Sequence, residues 1–416
     1  MAKLIKFDNG LRLVHAWVPS ARSVAFGIVA GTGSADENES NSGISHFLEH
    51  MQFKGTAKRT AFDIAREFES VGAQVNAFTS KQQTCYHFVS IDENAEYCAE
   101  ILSDLFFNST FPDEELKKER SVIIEEINQS LDTPEDVCMD TLSKVFFDGH
   151  PLSRQILGTK ESVAAITSKD LADYRDRRYT ADNCIVSVAG HISEEAAREL
   201  VKKYFLKSFK NLKAEKSEYK KASYNKGEII TERDIEQAHI GMAFPGLRFS
   251  DALSPALMVL NAAFGSGMSS RLFQRVREEL GLAYTIYTYP SFYKNEGAFV
   301  IYTGTNPAYK AKALDAIRGE IEILKKSGLT EQEVKSAKQQ VKAAYVFGEE
   351  STASLMRIHS KYVLMTEKPF DIDAQLKRID AVEMSQLNEL IEKIFDYEKM
   401  ALSLVVNKKR AKKAQG

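Results

Sequence analysis

His46 and His50 stand four residues apart with Glu49 between them, in the string His46-Phe47-Leu48-Glu49-His50. On a helix, residues at this spacing share one face about a turn apart, so both imidazoles can offer a ring nitrogen to one metal ion. Glu49 is placed beside them to take a proton from a metal-held water. The chemistry such a set supports is hydrolysis by activated water. Two histidines are too few for a catalytic zinc, which takes three protein ligands and keeps one position for water. A third ligand (His, Asp or Glu) must come from another part of the chain.

The helical stretch over 113–131 offers carboxylates for that role. Glu119 and Glu126 are seven apart, so two turns place them on nearly the same face. Leu116, Val122, Ile123 and Ile127 supply apolar surface to bury part of this helix. Glu126 can close the metal set, with Glu119 supporting it from one or two turns away. Glu125 is the rival, and it points about 100° off that face. Glu-rich helices are commonplace, and most of their carboxylates are solvated.

The four cysteines, Cys85, Cys98, Cys138 and Cys184, show no C-x-x-C spacing. That argues against a thiolate zinc site and a disulfide framework, and it suits a reducing compartment, so a cytoplasmic address is expected. A formal net charge of −3 gives no reason to expect nucleic acid. The basic cluster Lys408-Lys409-Arg410 with Lys412-Lys413 reads as a solvated tail. No apolar run reaches membrane-spanning length, and the first residues alternate like a hairpin, unlike a signal or transit peptide. His15, His87, His150, His191, His239 and His359 lack partners at ligand spacing and read as structural. Gly265 and Gly267 lack the phosphate-loop pattern and read as a tight turn.

Chain patterning places strands at about 3–7, 11–18, 23–30, 73–79, 83–91 and 184–190. Helices are expected at about 42–54, 60–71, 93–108 and 113–131, the first with Ser42 as N-cap and Gly55 as its stop. The Lys-rich stretch over 208–232 reads as a linker between a domain at 1–207 and another at 233–416. The second half replays the first, with strands at 239–246, 283–290 and 297–304 and helices at 251–264, 306–326 and 330–348. Setting Ser45 against Ser270 pairs His46 with Arg271, Glu49 with Gln274 and His50 with Arg275. The chain therefore reads as a duplicated unit in which only the first copy carries metal chemistry. Hairpin-forming strands favour an α+β fold: two homologous domains, each a mainly antiparallel sheet with helices packed on it.

H-x-x-E-H is an inverted zinc-hydrolase signature. Together with GISHFLEHMQFKGT (43–56), GAQVNAFTSKQQTCY (72–86), ERSVIIEEI (119–127) and FGSGMSSRLFQRVREELGLAY (264–284), it resembles the inverzincin peptidases. That family includes pitrilysin, insulin-degrading enzyme and the mitochondrial processing peptidase, and the likeness is closest to its bacterial processing-peptidase-like members. It spans essentially the whole chain.

The resemblance implies that His46, His50 and Glu126 bind one zinc ion per chain, since the family's spacing lands on Glu126 and not on Glu125. It implies Glu49 as general base and Glu119 as supporting glutamate. Asn76, Ala77, Phe78 and Thr79 match the edge strand to which substrate adds, and Arg277 and Tyr284 match an Arg/Tyr pair that helps hold substrate. It further implies a zinc endopeptidase acting on extended peptides in a dimeric clamshell, as a homodimer or paired with a homologue. Where the processing peptidase's partner subunit carries a longer Gly-rich loop, this chain has the short FGSGMSS, a departure that bears on presequence selection. A non-catalytic scaffold or partner subunit is the alternative, and a metal-storage protein would explain the ligands but not Glu49.

Overall fold

The computed structural model describes residues 2–210, 213–215, 219 and 221–408. The basic tail from Lys409 onward, and residues 211–212, 216–218 and 220 of the expected linker, lie outside the described residues. The chain forms two compact α+β units.

The first unit is built on a sheet of β1 (Lys3–Lys6), β2 (Arg12–Trp17), β3 (Ser23–Ala30), β4 (Gln74–Thr79), β5 (Thr84–Ile91) and β6 (Cys184–Gly190), in the order β1-β2-β6-β3-β5-β4. β3 and β6 lie in the middle and read as near-continuous apolar runs, because both their faces are covered. β4 is an edge strand and is only partly buried. Phe26, Phe68, Phe88, Phe106 and Phe205 are fully enclosed in this unit's core. Each such side chain contributes about 1.5–3 kcal/mol by leaving water.

The second unit uses β7 (Gly227–Arg233), β8 (Ala238–Pro245), β9 (Ala283–Phe292), β10 (Gly297–Thr305) and β11 (Ala401–Asn407), in the order β7-β11-β8-β10-β9. With β1 set aside, each sheet takes its strands in the order first, fifth, second, fourth, third. In both, the first and fifth strands are parallel and every other pair is antiparallel. The duplication read from the paired serines is thus a duplication of topology.

The compact units do not follow contiguous halves of the chain. The first comprises Met1–Asn128, Arg154–Glu218 and Phe347–Asp371; the second comprises Gln129–Ser153, Tyr219–Val346 and Ile372–Gly416. The helix Thr352–Thr366 packs on β2, β3 and β6, and the helix Pro134–Phe146 packs on β7, β8 and β11. Each half therefore covers the other half's sheet with one helix. Glycine in a central strand permits the close approach. A Cβ on Gly27 would lie 2.6 Å from Met356 Sδ, and one on Gly241 would lie 3.1 Å from Cys138 Sγ. The linker expectation over 208–232 also needs correction. Its last residues form β7, where GEIITER alternates in burial and pairs in parallel with β11.

Candidate metal centre

The helix carrying the histidines runs from Ile44 to Met51. Ile44, Phe47, Leu48 and Met51 are buried at the i, i+3, i+4, i+7 spacing of an amphipathic helix. That face packs toward β4 and β5, which leaves His46, Glu49 and His50 half-buried. The expected ends differ. The N-cap is Gly43, not Ser42, at φ +89°, and the helix stops at Met51, short of Gly55. Glycine is required at 43 because a Cβ there would lie 2.6 Å from the Leu157 carbonyl oxygen. The Ser42 carbonyl is engaged elsewhere, accepting from Ser162 Oγ at 2.7 Å.

The helix Asp113–Asp132 buries Leu116, Glu119, Ile123 and Ile127 and turns Glu126 toward the histidines. Glu126 Oε2 lies 3.7 Å from His46 Nε2 and 3.7 Å from His50 Nε2. One ligand atom from each of the three residues falls within 4.8 Å of the others. Zinc bonds of about 2.0–2.1 Å in tetrahedral geometry place donor atoms about 3.3 Å apart, so this set fits such an ion. Glu125 is exposed and receives a 3.4 Å contact from Asn128 Nδ2.

Charge around the three groups suits the same ion. Burial, with His50 beside it, pushes His46 down to about 3, so its ring is neutral. Burial alone would lower His50 too, but its bond to Glu119 and the charges of Glu126 and Glu49 hold it above its ordinary value. His50 Nδ1 sits 3.0 Å from Glu119 Oε2, which keeps that nitrogen's proton occupied and leaves Nε2 facing Glu126. Glu119 is itself held by Lys54 Nζ at 2.7 Å. Burial would raise Glu119, yet the bonds from His50 and Lys54 bring it below the ordinary carboxylate range. Burial raises Glu49, and the hydroxyl of Thr79, donating to Glu49 Oε2, offsets part of that rise.

Asn76, Ala77, Phe78 and Thr79 lie on β4, which pairs with β5 in the register Asn76 to His87 and Thr79 to Thr84. The other side of β4 pairs with no strand among the described residues. Thr79 therefore ties the free edge strand to Glu49, a link that alternation alone does not reveal. In the second unit, the Arg277 guanidinium carbon lies 4.8 Å from the Tyr284 ring centroid and 4.6 Å from that of Phe273. Phe273–Glu279 is wound as a π-helix, and Tyr284 is 76% exposed. At the position matching His46, Arg271 instead forms bonds of 2.5 and 2.8 Å to Glu333. A fixed ion pair stands there in place of a ligand set.

Two residues of the site escape the spacing argument. Lys54 lies one turn beyond His50, where the i, i+4 rule could have placed it on the same face. Glu37, from the loop before the helix, accepts from the Gly43 and Ser45 amides at its start, and no periodicity points to it.

The insulinase model, peptidase family M16, matches residues 13–160, and the M16 inactive-domain model matches 165–341. An uncharacterized zinc protease of Bacillus subtilis (strain 168) is 39% identical over 405 residues, covering 97% of this chain and 98% of that relative. Another from Mycobacterium leprae is 34% identical, covering 93% and 88%. The crystal structure of a protease from Helicobacter pylori shares the fold at a TM-score of 0.89 and 22% identity, covering 97% of this chain and 99% of that one. These matches run through both sheets and both halves of the chain, and the chain belongs to peptidase family M16, the insulinase family.

Proposed function

We propose that the protein is a zinc-dependent endopeptidase that hydrolyses extended peptides. The observation that carries this reading is the convergence of His46, His50 and Glu126, with Glu49 beside them and bound to none of the three. The name zinc protease, borne by relatives that span almost the whole chain, supports it.

His46, His50 and Glu126 would hold one zinc ion, with Glu119 fixing the tautomer of His50 and Lys54 fixing Glu119. When bound, zinc lowers the pKa of a coordinated water to about 7 and polarises a carbonyl. Glu49 accepts a proton from the attacking water and returns it to the leaving amine. Its raised affinity for protons, a product of burial, suits both transfers. β4 receives substrate as an added strand, so main-chain bonds supply affinity and side-chain pockets only partial preference. Arg277 and Tyr284 hold substrate and the developing oxyanion. Four buried free thiols fit a reducing, cytoplasmic setting.

Purified protein should carry about one zinc per chain, and a chelator should abolish cleavage of a quenched fluorescent peptide, with zinc restoring it. Cleavage that survives complete removal of metal would end this reading. We further propose a homodimer in which Arg277 and Tyr284 of one copy complete the site of the other. Mixing a Glu49→Gln chain with an Arg277→Ala chain should then recover part of the activity that each lacks alone. No recovery after verified subunit exchange would overturn the shared site.

A further inference from the structure

The helix that carries His46 and His50 has only eight residues, and its cap residue Gly43 has no side chain to satisfy the first amides. Helices this short are marginal without anchoring, because the first turn fixes several dihedrals for one bond. The anchor comes from the preceding loop. Glu37 Oε2 accepts from the Gly43 amide at 2.7 Å, and Oε1 accepts from the Ser45 amide at 2.9 Å. Glu37 is 5% exposed.

Its surroundings are equally fixed. Tyr174 Oη lies 2.9 Å from Ser45 Oγ and 3.2 Å from Thr32 Oγ1. Arg178 Nη2 donates to the Asp36 carbonyl at 3.1 Å, and the Gly33 amide donates to Asp36 Oδ2 at 2.9 Å. The loop is thereby held at Asp36, next to Glu37, and the helix start at Ser45.

We propose that Glu37 is a positioning residue that sets the rotation of the metal helix, so that the nitrogens of His46 and His50 meet Glu126. Ser45 immediately precedes His46, and each residue of helix turns the side-chain direction by about 100°. Slippage at the Ser45 amide would turn the helix and carry His46 and His50 away from Glu126 together. The Glu37 carboxylate is expensive to bury. Burial raises it to about 8 even after the Gly43 and Ser45 amides, the Ser45 hydroxyl and Arg154 have drawn it down.

This inference rests on the metal reading of His46, His50 and Glu126, and the experiment separates the two. Zinc dissociation constants would be measured by competition with a chromogenic chelator, for wild type, Glu37→Gln and Glu37→Asp. Gln has one acceptor for two amides, so its zinc affinity should fall about 10–100-fold, the range seen when outer partners are lost. The visible spectrum of the Co2+-loaded variant should shift, because the ligand geometry has changed. Asp keeps the carboxyl group but reaches the two amides less well, and it should fold and bind zinc with intermediate affinity. Wild-type affinity and an unchanged Co2+ spectrum in either folded variant would overturn the proposal. So would a lowered melting point of the metal-free protein with an unchanged zinc constant, since that is the mark of a merely structural carboxylate. Wild type that takes up no zinc would remove the metal reading itself, and this inference with it.

Discussion

Glu49→Gln should keep its zinc and lose turnover. The side chain belongs to the motif helix but not to the group of ligand atoms within 4.8 Å of one another, so its charge can be removed without removing a donor. Gln preserves the shape, and its carbonyl oxygen can still accept from Thr79 Oγ1, so the half-buried pocket between helix and β4 stays filled. What disappears is the proton acceptor. General acid–base catalysis contributes about 10²–10⁴-fold, and kcat should fall by that order while KM for peptide changes little. Metal analysis of the same preparation supplies the control: about one zinc per chain shows that the loss is chemical. A Glu49→Gln enzyme with wild-type kcat would end the assignment of this residue as base. A variant that lost metal as well would move Glu49 into the ligand set.

The elements that carry this site were largely legible in the chain because their patterns are local. β3 and β6 read as apolar runs, and the apolar spacing of Ile44, Phe47, Leu48 and Met51 marks a one-faced helix. The seven-residue step from Glu119 to Glu126 follows from helix geometry, and the helix presents both toward the histidines. Non-local choices were not legible. Amphipathic spacing shows that Pro134–Phe146 and Thr352–Thr366 each bury a face, but not that each crosses to the other half's sheet. The glycines that admit them, Gly27 and Gly241, look in the chain like ordinary weak points in a strand. Glu37 illustrates the same limit at the site: a capping carboxylate from a loop has no fixed offset, whereas Ser42 stands where a local cap usually does. Arg277 sits in a π-helical turn and stacks on Tyr284 of the following strand, a geometry that spacing rules for an ordinary helix do not anticipate.

Removal of Glu126 should have the largest effect on metal binding. Its carboxylate is the only acidic member of the three and the only one from a second helix, so it supplies both the negative charge and the closure of the set. Glu126→Ala leaves two imidazoles one turn apart, a pair that cannot enclose an ion. Zinc affinity should fall by more than the roughly 10–100-fold expected for an outer partner such as Glu119 in Glu119→Gln. Glu125→Gln, one residue away and exposed, should leave it unchanged. The same contrast should appear in stability. Zinc at 1,000 times its dissociation constant stabilises the folded state by about 4 kcal/mol, so wild type should melt at a higher temperature when zinc is added. The increment should vanish in Glu126→Ala and persist in Glu125→Gln. If Glu126→Ala kept both stoichiometric zinc and the full thermal increment, the third ligand would have to be sought elsewhere. The pairing of the two helices through a shared cation would then lose its physical basis.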